Sequence, residues 1–382
     1  MGGVSGEPDE PEAALGLACV VGLGSSPVLE LLRWHLSGDI WRASAARLER
    51  WGLSRPVAAR FVARRRAWRA QPVRERMEET GVRFVPLSEL GTAARCLAVP
   101  PAGAFLVGEE ETWRAIMTRP RVTIVGTRRS TPYGRALARA AAGRFVGAGV
   151  AVVSGLAFGV DVEAHKGALA TGGLTLAVLG CGPNVTYPRA HAAIREKVRG
   201  QGVILSEYPP DTPPAPWRFP ARNRIMAALG DAVLVVEAGE RSGALITVDE
   251  ALSLGRSVLA VPGPLGSEAS RGCHRLIADG AAIVESLDLL VKEYACRSRT
   301  DREGRGLCLS PSFAVLRGTE AEGRSGTVER FIQEALAQGP CSVDQLAQAA
   351  AGGVREVSAA LALMELRGEV VRAGTGVYAL NP

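Results

Sequence analysis

From about residue 120 to residue 291 the chain alternates between short, almost unbroken aliphatic runs and longer stretches of helical character. No other feature constrains its fold as much. The runs cover residues 122–125, 150–153, 174–179, 203–205, 232–236 and 257–261, and helical patterns over 134–146, 160–171, 189–199 and 244–254 lie between most of them. A strand that reads as a continuous Val/Ile/Leu run has both of its faces covered. Strands of that kind separated by helices predict a Rossmann-like α/β fold, a mostly parallel sheet with helices on both faces. Ligands of such sheets sit outside the carboxyl ends of the strands, so the turns that follow the strands are the places to look for function.

The flanking sequence reads differently. Residues 1–12 are an acidic tail, expected to be disordered. Residues 13–94 carry helical patterns over 28–34, 43–51 and 56–68, and predict a small helical domain of the sterile-alpha-motif or helix-hairpin-helix kind. The apolar, Pro/Gly-rich segment 95–117 predicts a strand and a short helix that extend the central domain, which runs over 95–295. Residues 296–326 are poor in large apolar groups and rich in Arg, Ser, Gly and Glu, the composition of a flexible linker. Over 327–382, three helical patterns (327–337, one capped by Ser342, and 354–366) precede a hairpin at 369–372 and 376–379, and so predict a winged-helix domain.

A chain of 382 residues has room for two or three such domains. Its net charge of +6 is unevenly spread: from Arg33 to Arg76 there are twelve arginines against Asp39, Glu49 and Glu75. That run fits a solvated helical surface in an arginine-rich chain, since only three lysines occur. It equally fits an auxiliary contact to nucleic acid or an acidic partner. The seven cysteines are never two to four residues apart, which leaves no zinc knuckle or redox pair and fits reduced thiols in a cytoplasm. Glu7, Asp9, Glu10 and Glu12 give the N-terminus the wrong charge for a secretory signal. No apolar stretch reaches the ~18 residues a membrane span needs.

Four turns carry the candidate site. The first, residues 126–134, brings Gly126 for close backbone approach and Arg128, with Thr131 as cap and Pro132 as first residue of a helix whose start favours an anion. The second offers Ser154 and Gly155, the third Arg189, and the fourth Ser242 and Gly243. To these the chain adds Phe219-Pro-Ala-Arg-Asn-Arg224, just before a helix of buried character, preceded by Arg218. Arginine supplies charge and forked donors for phosphate, and a phenylalanine face stacks on an unpaired base. Together these turns read as a phosphate-lined groove for single-stranded nucleic acid. The bland alternatives are a solvated Arg128 and a core Phe219.

Other chemistries find little support. The first turn is not a GxGxxG fingerprint, no lysine stands in a P-loop context, and no Gly-x-Ser-x-Gly elbow occurs. Asp161 and His165 lie four apart on a helix without a third ligand, which fits a capping Asp and a packed His better than a metal site. Neither a metal, nor a cofactor, nor a catalytic residue is expected.

The ordered motif series resembles the bacterial DNA-processing protein A (DprA, also called Smf) family. The series comprises Val125-Gly-Thr-Arg with Tyr133-Gly134, Ser154-Gly-Leu-Ala with Gly159-Val-Asp161, Ala164-His165, Ala177-Val-Leu-Gly-Cys-Gly182, Tyr187-Pro188, Ser206-Glu-Tyr-Pro209, Phe219-Pro-x-Arg-Asn-Arg224, Val236-Glu-Ala238, Ser242-Gly-x-Leu-Ile-Thr247 and Val261-Pro-Gly263. The resemblance is dense over about 120–290 and agrees with the helical start and winged end. It implies a cytoplasmic, non-enzymatic protein of natural transformation, dimeric through its Rossmann domain, that binds incoming single-stranded DNA, shields it and loads RecA. Carried over, the DNA-binding positions are Arg128, Arg189 and Phe219, with Arg222, Asn223 and Arg224 alongside. In one departure Pro216 stands where family members often carry lysine, and Arg218 is the candidate replacement for that charge. The third winged-helix pattern balances two arginines with two glutamates, a poor duplex reader that points to a protein-contact or auxiliary role. The rival reading is a lysine-decarboxylase-like nucleoside-monophosphate hydrolase. The chain lacks the Pro-Gly-Gly-x-Gly-Thr turn of that class, and only Glu207 and Glu237 are carboxylates near the rim.

Overall fold

The computed structural model describes residues 9–21 and 26–300, with short stretches between 332 and 380. Nine strands form one sheet: β1 (Arg83–Pro86), β2 (Gly103–Val107), β3 (Arg121–Val125), β4 (Ala151–Ser154), β5 (Thr175–Leu179), β6 (Val203–Ser206), β7 (Ala232–Val235), β8 (Ser257–Ala260) and β9 (Ala282–Ile283). Their order across the sheet is β1-β2-β6-β5-β4-β3-β7-β8-β9. Every pair from β6 to β9 is parallel, while β1 and β2 add an antiparallel edge. Strands β2 and β4 to β7 are buried at every residue, as their lack of polar alternation predicts.

The order fixes where a ligand can sit. From β3 the chain winds out through β4, β5 and β6, then returns to place β7 on the other side of β3. The topological switch point therefore lies between β3 and β7, and their carboxyl ends open a crevice there. Helices Pro132–Gly147, Val160–Ala170, Ala192–Gln201 and Ala244–Ser253 fall within a few residues of the patterns read from sequence. The fifth relevant helix, Arg218–Leu229, starts earlier than expected: Phe219 to Arg224 form its first turns, and it is buried throughout from Arg222 onward.

The N-terminal segment packs continuously with the sheet. It contributes β1 to the sheet, and Leu17, Leu29, Ile40 and Leu48 share one continuous buried cluster with Phe105 and Ile204. The acidic tail is shorter than expected. Helix Glu10–Val20 is capped by Asp9, and the Glu10 carboxylate accepts from the backbone N–H groups of Ser37 (2.7 Å) and Gly38 (2.6 Å), which anchors helix Ser37–Arg42. The rest of the expected tail, residues 1–8, lies outside the described residues.

The chain divides into two compact units, residues 1–311 and 312–382. Helix Leu287–Thr300 runs past the expected start of the linker, whose remainder lies outside the described residues. In the second unit Ile332, Leu336, Leu346, Val357, Leu361, Met364, Val370 and Tyr378 form a core under a small sheet of Cys341–Ser342, Val377–Leu380 and Val370–Gly374. The Ser342 Oγ accepts from the Gln345 N–H (3.2 Å) and the Gln345 Oε1 from the Ser342 N–H (2.8 Å), a reciprocal capping box. The arginines and glutamates of the third winged-helix pattern lie outside the described residues. Among the described residues no helix is long and apolar enough to cross a membrane.

Candidate nucleic-acid interface

A groove of about 570 Å³ opens at the switch point, lined by residues 125–129 after β3, by Ser242, Gly243, Ile246 and Thr247 after β7, and by Tyr187 and Phe219. Gly126, Arg128, Gly155, Phe219, Ser242 and Gly243 thus come together around one crevice and the recess beside it, although their positions span 118 residues of sequence.

Phe219 is the centre of this arrangement. Its ring stacks on Tyr187 with centroids 5.3 Å apart and planes inclined by 29°, and the Arg128 guanidinium lies over it at 5.3 Å. Phe219 itself is half-buried, while Tyr187 keeps 41% of its surface exposed and Arg128 is exposed. The ring packs so closely on β5's following turn that a Cβ at Gly180 would stand 2.9 Å from its Cδ1, so only glycine fits there. An aromatic pair with a guanidinium above it has the composition of a base-stacking platform beside a phosphate contact.

Hydrogen bonds fasten the loops that carry the platform. Asp211, at positive φ, exchanges hydrogen bonds with Asn184 (2.8 Å in each direction), and Arg76 of the N-terminal segment grips its carboxylate bidentately. That guanidinium holds the Asp211 carboxyl down to about 2. The Gly182 N–H donates to the Thr212 carbonyl (2.8 Å), so the turn bearing Tyr187 and Arg189 and the loop leading to Phe219 are tied together. Arg189 is exposed two residues beyond Tyr187. Two residues further, His191 bonds through Nδ1 to the Leu156 carbonyl (2.9 Å) and joins this turn to the one after β4.

Several residues expected at the ligand are internal instead. Arg224 and Glu207 form a buried ion pair at 2.6 Å with side chains only 6% and 2% exposed, so Arg224 is committed to the core. Arg222 reaches the groove floor, but its Nη1 donates to the carbonyls of Gly155 (2.8 Å) and Val178 and holds the turns after β4 and β5 from below. Burial pulls that guanidinium below its usual range, opposed by the charge of Asp161 beside it. Asn223 accepts from the Arg222 Nε (3.2 Å) and donates to the Gly243 carbonyl (3.1 Å), linking the helix to the fourth turn. The Ser154 hydroxyl is fully buried and donates to the Ile124 carbonyl (2.7 Å). Arg218 bonds to the Pro213 carbonyl and lies over the rings of Tyr208 (4.9 Å) and Trp217 (5.0 Å), so it does not supply the missing charge in the groove. For Arg222, Asn223 and Arg224 the cause is the early start of the helix, whose turns from Arg222 onward are buried, whereas Ser154 is the last residue of the buried strand β4.

The helix start after β3 is also taken. Thr131 caps it as expected, with its Oγ1 accepting from the Gly134 N–H (3.1 Å), but Glu237 accepts from both the Thr131 N–H (2.8 Å) and its hydroxyl (2.5 Å). This buried carboxylate answers the positive end of the helix, and the cations lining the groove beside it are Arg128 and Arg129. Among the groove residues outside the expected set are Arg129 and Tyr187. Their signals were a second arginine in the first turn and an aromatic two positions before Arg189.

Asp161 accepts from the backbone of Ala157 and Gly155, while burial pushes its carboxyl up against the pull of Arg222. His165 bonds to the Thr175 hydroxyl (2.8 Å), and burial drives its imidazole down to about 3. The pair is thus a loop anchor and a neutral packed histidine. Among the described residues no cluster of three His, Cys, Asp or Glu side chains could hold a metal.

Comparison with known proteins identifies the family. The family described as DNA recombination-mediator protein A matches residues 91–295, and the DprA winged helix domain matches residues 320–376. A DprA homologue of Mycobacterium tuberculosis is 37% identical over 306 residues, 77% of this chain and 75% of that protein. The DNA processing protein DprA of Bacillus subtilis is 34% identical, over 58% of this chain and 74% of its own. The crystal structure of DNA processing protein A from Streptococcus pneumoniae superposes with a TM-score of 0.65 at 29% identity, covering 75% of this chain and 99% of that one. A Helicobacter pylori structure, described as giving insight into the single-stranded DNA binding mode of DNA processing protein A, has a TM-score of 0.51 at 29% identity over 57% and 97%. The chain belongs to the DNA-processing protein A (DprA/Smf) family.

Proposed function

We propose that this protein binds incoming single-stranded DNA along the switch-point groove, shields it, and loads RecA onto it during natural transformation. One observation carries the reading: the Tyr187–Phe219 stack with the Arg128 guanidinium over it, at the mouth of a groove whose lining holds Arg129 but no exposed carboxylate. A strand would lay bases on the rings and phosphates on Arg128 and Arg189. The Helicobacter pylori relative, whose described subject is single-stranded DNA binding, supports the choice of ligand. The molecule acts as a cytoplasmic homodimer joined through its Rossmann-like domain, with the winged unit in a protein-contact or auxiliary role.

No nucleotide is turned over in this reading. The two carboxylates that a hydrolase would need near the rim are committed elsewhere: Glu237 to Thr131 and Glu207 to Arg224. The test is RecA filament growth, followed by fluorescence, on single-stranded DNA coated with single-strand-binding protein, using RecA of the same organism. Growth should speed up when this protein is added. Unchanged or slower growth refutes the loading step. Release of free base from a nucleoside monophosphate would replace the reading with a hydrolase.

A further inference from the structure

Far from the groove in sequence, the N-terminal helices carry a second arrangement of rings and guanidinium groups. Trp34 follows the short helical turn Leu31–Arg33 and keeps 75% of its surface exposed, with Arg33 over its ring at 5.3 Å. The next residue, His35, stacks on Trp51 with centroids 3.8 Å apart and planes inclined by 20°, and Arg47 lies over Trp51 at 4.8 Å. The stack joins the end of one helical turn to the end of helix Ala45–Arg50, so the Arg33–Trp34 pair and the His35–Trp51–Arg47 stack adjoin at consecutive residues 34 and 35. Arg33, Arg47 and the exposed Arg50 have no carboxylate partner among the described residues, while Glu30 and Glu49 stand exposed nearby.

We infer that this arrangement is a second contact for single-stranded nucleic acid. The inference rests on the single-strand reading of the groove and extends it. Rings and guanidinium groups occur in protein contacts too; what favours a polyanion here is the charge of the segment, twelve arginines against three acidic residues from Arg33 to Arg76. Planar faces topped by guanidinium groups fit bases that stack and phosphates that pair. A strand long enough to leave the groove would gain this second contact, and a short one would not.

The test uses the full chain and two oligothymidylates, one about as long as the groove can hold and one several times longer. Trp34→Ala should weaken binding of the long strand by about 5- to 150-fold, the range of one lost base stack, and leave the short strand unchanged. Arg33→Ala with Arg47→Ala should flatten the long strand's dependence of log affinity on log salt by about 1.4, two phosphate contacts, again without touching the short strand. All three side chains are solvent-exposed or lie over exposed rings, so both variants should fold. Photocrosslinking of the long strand with iodouracil substituted for thymine should label the peptide containing Trp34. Equal loss on both strands, no loss on either, or crosslinks confined to the groove would overturn the inference, as would protection of Trp34 by an acidic peptide but not by the long strand. Failure of the groove reading looks different: the wild type would then bind no short strand at all.

Discussion

Removing the Phe219 ring separates a stacking platform from a core residue. The ring is half-buried against Gly180 and Tyr187. Fully burying a phenylalanine is worth roughly 1.5–3 kcal/mol, so Phe219→Ala should cost about 1 kcal/mol of stability by transfer alone. Binding should suffer more. A lost base stack costs about 1–3 kcal/mol, a rise in Kd of roughly 5- to 150-fold, with little dependence on base sequence. No charge is removed, so the salt dependence should keep its slope, whereas Arg128→Ala should flatten it by ~0.7. Because the guanidinium lies 5.3 Å from the ring, the two losses should not add. The double variant should fall short of the sum by about 0.5–1 kcal/mol, the worth of an exposed cation–π contact. Phe219→Leu fills most of the space against Gly180 without a planar face, so it should retain stability and still bind poorly. The assay is fluorescence anisotropy of a labelled oligothymidylate over a salt series, with a urea melt on the same preparation. Wild-type affinity in folded Phe219→Ala, or a flattened salt slope, refutes the stacking role.

Three further outcomes are expected. Arg128→Glu and Arg189→Glu should each weaken single-strand binding and lower the salt slope while shifting stability by no more than ~0.5 kcal/mol, since both side chains are exposed; unchanged slopes in anisotropy titrations would remove them from the interface. Arg224→Ala leaves the Glu207 carboxylate buried without its partner and should cost about 3–5 kcal/mol in a urea melt, while whatever folds binds DNA as the wild type does; a stable variant with weakened binding would return Arg224 to the ligand. His165 stays neutral in the fold down to about pH 3, whereas an unfolded histidine takes up its proton near pH 6.5, so stability should fall as pH drops from 6.5 toward 3, by up to ~1.4 kcal/mol per pH unit from this group. His165→Asn should lose that part of the slope in melts at pH 7 and pH 5, and an identical slope in both proteins would refute the assignment.

The sheet was legible in the sequence because burial on both faces leaves an unbroken aliphatic run, a signal each strand carries by itself. The caps at Thr131 and Ser342 were legible for the same local reason: the side-chain acceptor and the backbone donor stand three residues apart. Arg128, Arg189 and Phe219 could be named because each stands in a turn or helix start whose place at the sheet's rim follows from strand order. The interior roles could not be read that way. Nothing local in Phe219-Pro-Ala-Arg-Asn-Arg224 says that the helix has already begun at Arg218, and that shift decides that Arg224 meets Glu207 and Arg222 meets the carbonyls of Gly155 and Val178. Glu237 takes the helix start that sequence reasoning had left to a phosphate, because β7 lies beside β3 across more than a hundred residues of chain. The Tyr187–Phe219 stack and the union of the N-terminal helices with the sheet also depend on such long-range neighbours. A sequence specifies what each segment buries through its own periodicity, but which buried charge finds which partner is set only when distant segments pack, since an unpaired charge in the interior is too costly to leave.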